Sequence, residues 1–158
     1  NPEVYGIQEI VKHPESDNYI ALVRLTEPAN LDNPFIQPVQ LAPDDGYDYF
    51  SEDCFIAGWG NQGSIQWGGI LQFTSAFLLT DDDCQSRGWN SEINLCVDTK
   101  YSATCYFDEG GPFVCSRASD TYLLGSLFFK APLCSPDWLS IYDRTSYYND
   151  WINTIIAQ

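Results

Sequence analysis

The chain has 158 residues and a formal charge of −15, with 7 Lys and Arg against 22 Asp and Glu. That balance leaves no basic phosphate-binding stripe, so nucleic acid is a poor partner, and anionic membranes are disfavoured for the same reason. At 44% hydrophobic and 15% aromatic residues, the chain can build a packed core and is not expected to be disordered. Cationic partners would be attracted over a Debye length, although the plainer reading of the charge is solubility.

In chain order, Asn1-Pro2-Glu3-Val4 has neither the basic cluster nor the apolar region of a signal peptide. A targeting segment is therefore expected to have been removed, or to sit on another piece of the protein. Ile7 to Val11 and Ile20 to Leu25 read as strands. Pro28 to Gly46 is rich in Pro, Asn and Asp and reads as a long surface connection between two β units. Cys54 to Ala57 and Leu71 to Leu79 are again β-like. Thr80-Asp81-Asp82-Asp83 reads as an N-cap with carboxylates facing the positive end of a helix dipole. Calcium binding is the rival reading of that run, but capping needs only local physics. Ile93 to Val97, Pro112 to Cys115 and Tyr122 to Phe129 complete the strands, punctuated by Asp-Asp-Gly, Asn-Gln-Gly and Gly-Gly-Pro. A C-terminal helix spans about Tyr147 to Ala157, with Trp151, Ile152, Ile155 and Ile156 on one apolar face that docks onto the barrel. Short strands at this spacing predict an all-β barrel or sandwich. No run approaches the roughly 20 apolar residues of a membrane helix.

Six cysteines, at 54, 84, 96, 105, 115 and 134, form an even set without C-x-x-C spacing. They favour disulfides and an oxidising, extracellular compartment over a metal site. Spacing alone does not choose among the pairings. No N-x-S/T sequon is present, so N-glycosylation is not expected. No cofactor is called for.

Cys105-Tyr-Phe-Asp-Glu-Gly-Gly-Pro-Phe-Val-Cys115 resembles the nucleophile loop of chymotrypsin-like serine proteases, which usually reads C-x-G-D-S-G-G-P-L-V-C. Its companions fall in the right order. Ile20-Ala-Leu-Val-Arg-Leu25 resembles the strand after the catalytic aspartate, and Cys54-Phe-Ile-Ala-Gly-Trp-Gly60 resembles the strand that opens the second barrel. Gly125-Ser-Leu-Phe-Phe-Lys130 takes the place of G-I-V-S-W-G, and Trp151-Ile152 resembles the family's final helix. The resemblance covers nearly the whole chain. It implies a chymotrypsin-like double β-barrel: residues 1–29 as the C-terminal part of the first barrel, 30–50 as the inter-barrel connection, and 51–158 as the second barrel plus a C-terminal α-helix. It also implies the disulfides Cys54–Cys115, Cys84–Cys96 and Cys105–Cys134.

A protease of this class needs a serine nucleophile, a histidine base, an orienting aspartate and backbone donors for the oxyanion. The resemblance puts Glu109 at the nucleophile, Tyr19 at the aspartate and Phe107 at the oxyanion-loop glycine. Asp17 lies two residues from Tyr19, roughly 6–7 Å along a strand, and is a doubtful substitute. The only histidine, His13, matches a later surface "HP" pair, so the catalytic histidine is not expected in this chain. The binding cleft would consist of Ala103 and Thr104 at its base with Phe128, Phe129, Lys130 and Ser140 on its walls, apolar and partly filled. An aromatic core edge without a ligand is the competing reading. Asp108 matches the carboxylate that pairs with a new N-terminal ammonium after zymogen cleavage; both a zymogen-like and an activated arrangement stay open.

The expectation is thus a secreted, non-catalytic serine protease homologue, a pseudoprotease acting as a protein-binding or regulatory subunit. The family's inactive members serve in proteolytic cascades, immune recognition or extracellular complexes. The alternative is a structural or storage subunit of an extracellular assembly. Carboxylate catalysis through Glu109 lacks a second acid at a set distance. Half a barrel exposes strand edges. The expected partner is therefore an N-terminal segment of the same domain, made separate by proteolytic processing and held as a heterodimer without a disulfide, with another extracellular protein beyond it.

Overall fold

The computed structural model describes residues 3–15, 20–61 and 69–157. Tyr19 and Asp17 lie outside the described residues. Two sheets form. The first pairs β1 (Ile7–Lys12) antiparallel with β2 (Ala21–Leu25), with a register shift between Ile7 and Glu9. Bonds from Thr26 N–H to the Gly6 carbonyl (2.9 Å) and from His13 N–H to the Ile20 carbonyl (3.1 Å) extend the ladder at both ends. Ile7, Ile10 and Val23 of this ribbon are more than half exposed. His13 sets its ring edge-on to Tyr148 and Trp151, at centroid distances of 5.2 and 4.9 Å, and so ties the ribbon to the end of the chain.

The second sheet contains β3 (Gln40–Leu41), β4 (Cys54–Gly58), β5 (Gln72–Leu78), β6 (Asn94–Asp98), β7 (Pro112–Arg117), β8 (Asp120–Phe129) and β9 (Ser140–Arg144). Its order is β3-β8-β7-β4-β5-β6-β9, and β9 also pairs with β8. Six antiparallel strands therefore close into a barrel, while β3 lies parallel on the outside of β8. Closure leaves the six strands without an open edge.

The period of two decides what faces inward. Along β4, Cys54 and Ile56 are buried while Phe55 between them is exposed. Ile56, Leu95, Val97, Phe113, Leu124, Leu127 and Tyr142 fill the barrel. In β6, Leu95, Cys96 and Val97 are all buried, because the outer face is covered too. There Cys96, Cys84 and Ile141 form a second cluster with Trp89, Phe128 and Leu139 packed against it. The cover is α1 (Asp81–Ser86), started by Thr80, whose hydroxyl accepts the Asp83 N–H at 3.1 Å. Thr80→Ala is expected to cost about 1 kcal/mol, read as a lower urea midpoint. An unchanged midpoint would mean that the Cys84 disulfide holds the helix without its cap.

Three elements differ from the sequence reading. The connection from Pro28 to Gly46 is not wholly irregular, since Gln40–Leu41 pairs with Tyr122–Leu123. Strand β9 was not anticipated at all. The C-terminal helix α2 (Asn149–Ile156) begins later than expected, after a 3₁₀ turn over Thr145–Tyr148. Only Ile152 on its apolar face is fully buried, and Ile156 is 70% exposed. No helix among the described residues is long and apolar enough to cross a membrane.

Candidate functional site

The loop from Cys105 to Gly111 leads into β7 and is pinned at both ends. Cys105 is bonded to Cys134, and Cys115 to Cys54 across the β4–β7 pair. The third disulfide joins Cys84 to Cys96. Within the loop, Gly111 N–H donates to the Asp108 carbonyl (2.8 Å) and Gly110 N–H to the Leu127 carbonyl (2.9 Å), which docks the turn on β8.

Asp108 points into the protein. Its carboxylate accepts the Gly60 N–H at 2.7 Å and the Cys105 N–H at 2.9 Å. A Cβ on Gly58 or Gly60 would run into that carboxylate, which explains glycine at both positions of the Cys54–Gly60 segment. Asp108 also lines a cavity of about 430 Å³ with Asn61, Ala103, Thr104 and Tyr142. Burial, with the charge of Asp108 adding, pushes the Tyr142 phenol far above its ordinary range, so it stays neutral.

Phe107 has φ 75°, the left-handed region that a residue with a Cβ rarely adopts. Phe107 is 61% exposed. Its backbone N–H donates to the Glu109 carboxylate at 2.9 Å. The Glu109 acid thus folds back onto the backbone two residues before it.

The six residues expected to form a cleft are distributed. Thr104 and Ser140 come together, both buried, with hydroxyls 2.7 Å apart, and Ala131 N–H donates to the Thr104 hydroxyl at 3.0 Å. Ala103 and Thr104 face the Asp108 cavity. Phe128 and Phe129 pack against Trp89, at centroid distances of 6.2 and 5.9 Å. Lys130 places its ammonium 3.9 Å from the centre of the Tyr106 ring. Trp89 and Tyr106 were not foreseen as part of this region. Trp89 lies in a loop without periodicity, and Tyr106 sits where the family motif leaves the residue open. The Asp81–Asp83 run caps α1, and among the described residues no group of acids, histidines and cysteines is arranged to hold a metal ion.

A closed six-stranded barrel, cross-linked from β4 to β7 and carrying the Asp108-to-Pro112 turn at its mouth, defines a chymotrypsin-like domain. A sequence profile of the trypsin family matches residues 2–152. The chain belongs to the trypsin family. It is similar to a tryptase of Mus musculus, 28% identical over 96% of this chain and 62% of the tryptase. It is also similar to CLIP domain-containing serine protease B10 of Anopheles gambiae, 28% identical over 99% of this chain and 46% of that protein. The chain spans about half the length of these curated relatives.

Proposed function

We propose that this chain is a non-catalytic member of the family, a secreted pseudoprotease that binds or regulates another protein. The observation that carries this reading is the bond from Phe107 N–H to the Glu109 carboxylate. A serine protease needs a hydroxyl nucleophile that a base can deprotonate and free amides where the oxyanion develops. Here a carboxylate stands at the nucleophile position and occupies one of those amides. A tetrahedral oxyanion would meet a negative charge instead of a donor. Losing a single oxyanion donor already costs about 10²–10³ in kcat. Tyr19, where the orienting aspartate belongs, points the same way from the sequence. Three disulfides support an oxidising, extracellular setting.

A broad fluorophosphonate probe tests the inactivity. The folded protein is expected to stay unlabelled while a trypsin control labels fully. Stoichiometric labelling would overturn the reading and send the search to another serine.

The structural-subunit reading draws support from the Thr104–Ser140 pair, two buried hydroxyls bonded to each other and not offered to a ligand. For the two-stranded sheet, we propose a partner that continues the first barrel: an N-terminal segment of the same domain, separated by processing. The exposed Ile7, Ile10 and Val23 support it, and the absence of a free cysteine fits a non-disulfide association. Native mass spectrometry showing only a lone 17.9 kDa chain in the purified protein would rule that partner out.

A further inference from the structure

The segment leading into β4 places Asp44, Asp45, Tyr47, Asp48, Tyr49 and Phe50 within seven residues. It already holds one guanidinium. Arg117 of β7 pairs with Asp45 at 2.6 Å, and its guanidinium lies 3.8 Å from the centre of the Tyr47 ring. The contact holds the Asp45 carboxyl below its ordinary range.

The same segment also borders a cavity of about 260 Å³ that repeats this chemistry without its cation. Asp44 and Asp48 supply carboxylates, Tyr49 and Phe50 supply rings, and Leu78 and Leu124 supply aliphatic surface. Arg144 is the one basic residue among the described lining, and its terminal nitrogen is committed to Asp81 at 2.6 Å. Three carboxylates, Asp44, Asp48 and Asp81, against one arginine leave the cavity negative. Two polar atoms of its lining residues are also buried without a hydrogen-bonded partner. One is Nε of Arg144. The other is the hydroxyl of Tyr49, a residue only 6% exposed, which feels the Arg117 guanidinium nearby without meeting hydrogen-bond geometry.

We infer that this cavity takes the arginine or lysine side chain of a basic protein segment. The methylene stem covers the leucines while the charge meets Asp44, Asp48 and the ring faces, the arrangement that Arg117 already adopts with Asp45 and Tyr47. Arg144 Nε–H is left to donate to a backbone carbonyl of the same segment. An anionic ligand would face the carboxylates uncompensated, and a purely apolar one would leave them desolvated. The inference rests on the binding role proposed above and supplies the chemistry of the partner. It does not depend on the chain being inactive.

The test is fluorescence anisotropy with a labelled, end-capped peptide carrying two arginines between glycines, beside its citrulline counterpart. The arginine peptide is expected to bind the wild-type protein, and the citrulline peptide to bind at least about ten-fold more weakly. Asp44→Asn with Asp48→Asn should weaken the arginine peptide about ten-fold, whereas Asp98→Asn with Asp137→Asn, the same charge removed elsewhere, should change it less than about two-fold. Asparagine keeps the acceptor with which Asp48 holds the Phe50 N–H, so an unchanged thermal midpoint confirms the fold of the variant. No binding of the arginine peptide, equal binding of the citrulline peptide, or equal losses in both double variants would each overturn the inference. Fluorophosphonate labelling reads the inactivity separately, so the two failures are distinguishable.

Discussion

Replacing Cys54 and Cys115 together by alanine is expected to destabilise the protein by about 4 kcal/mol. The bridge closes a loop of 61 residues, and the entropy that such a constraint removes from the unfolded chain grows with the logarithm of loop length. The bond also lies inside the barrel. Cys54 is 7% exposed and Cys115 fully buried, and the two sit opposite each other where β4 pairs with β7. Removing Cys84–Cys96, separated by only 12 residues, should cost less, about 3 kcal/mol on the same scale. Guanidinium unfolding under non-reducing conditions measures both. Stability is typically 5–15 kcal/mol in total, so the first variant should unfold at a much lower midpoint. Equal losses for the two pairs would show that local packing, rather than loop closure, dominates.

A second large effect depends on pH. Asp143 of β9 is 6% exposed and faces Asn94 across the β6–β9 ladder. Burial pushes its carboxyl from 3.8 up to about 6. Because the folded value lies above the unfolded one, the neutral acid is the form the fold prefers. Its contribution is fully present below about pH 4 and is lost as pH rises through about 6. A rise of roughly two pH units corresponds to about 3 kcal/mol by pH 8. Asp143→Asn keeps the shape and removes the charge. It should therefore stabilise the protein at pH 8 by up to about 3 kcal/mol, roughly 5–10 °C in Tm, and do little at pH 3.5. Thermal unfolding of both proteins across that range measures the difference. A constant gap at all pH values would show that the carboxyl is not raised.

Much of the fold was legible because it is written in local pattern. Apolar β-like runs between turn residues marked β4 and β5, and Thr80 before three acids marked the start of α1. β9 escaped because Ser140-Ile-Tyr-Asp-Arg144 mixes polar and apolar residues without alternation. Ser140 and Asp143 are buried only because β6 and β8 flank that strand on both sides, a pairing that no short window contains. β3 escaped because two residues in a proline-rich connection carry no signal apart from their parallel partner on β8.

For the site, the motif from Cys105 to Cys115 identified the loop and its unusual residues, since residue identity at a spaced motif is a property of sequence alone. What those residues do was set by contacts. Thr104 meets Ser140 across 36 positions of chain, a contact that no short window of sequence contains. Glu109 reaches the Phe107 amide only because the backbone at Phe107 turns to positive φ. The sequence by itself determined the family and the strand-rich architecture, both of which are carried by local motif and pattern. The disulfide pairs followed from the family resemblance and not from cysteine spacing. The pairing of β9 with β6 and β8 and the placing of the Glu109 carboxylate were decided by tertiary structure, because each depends on groups that only the folded chain brings within bonding distance.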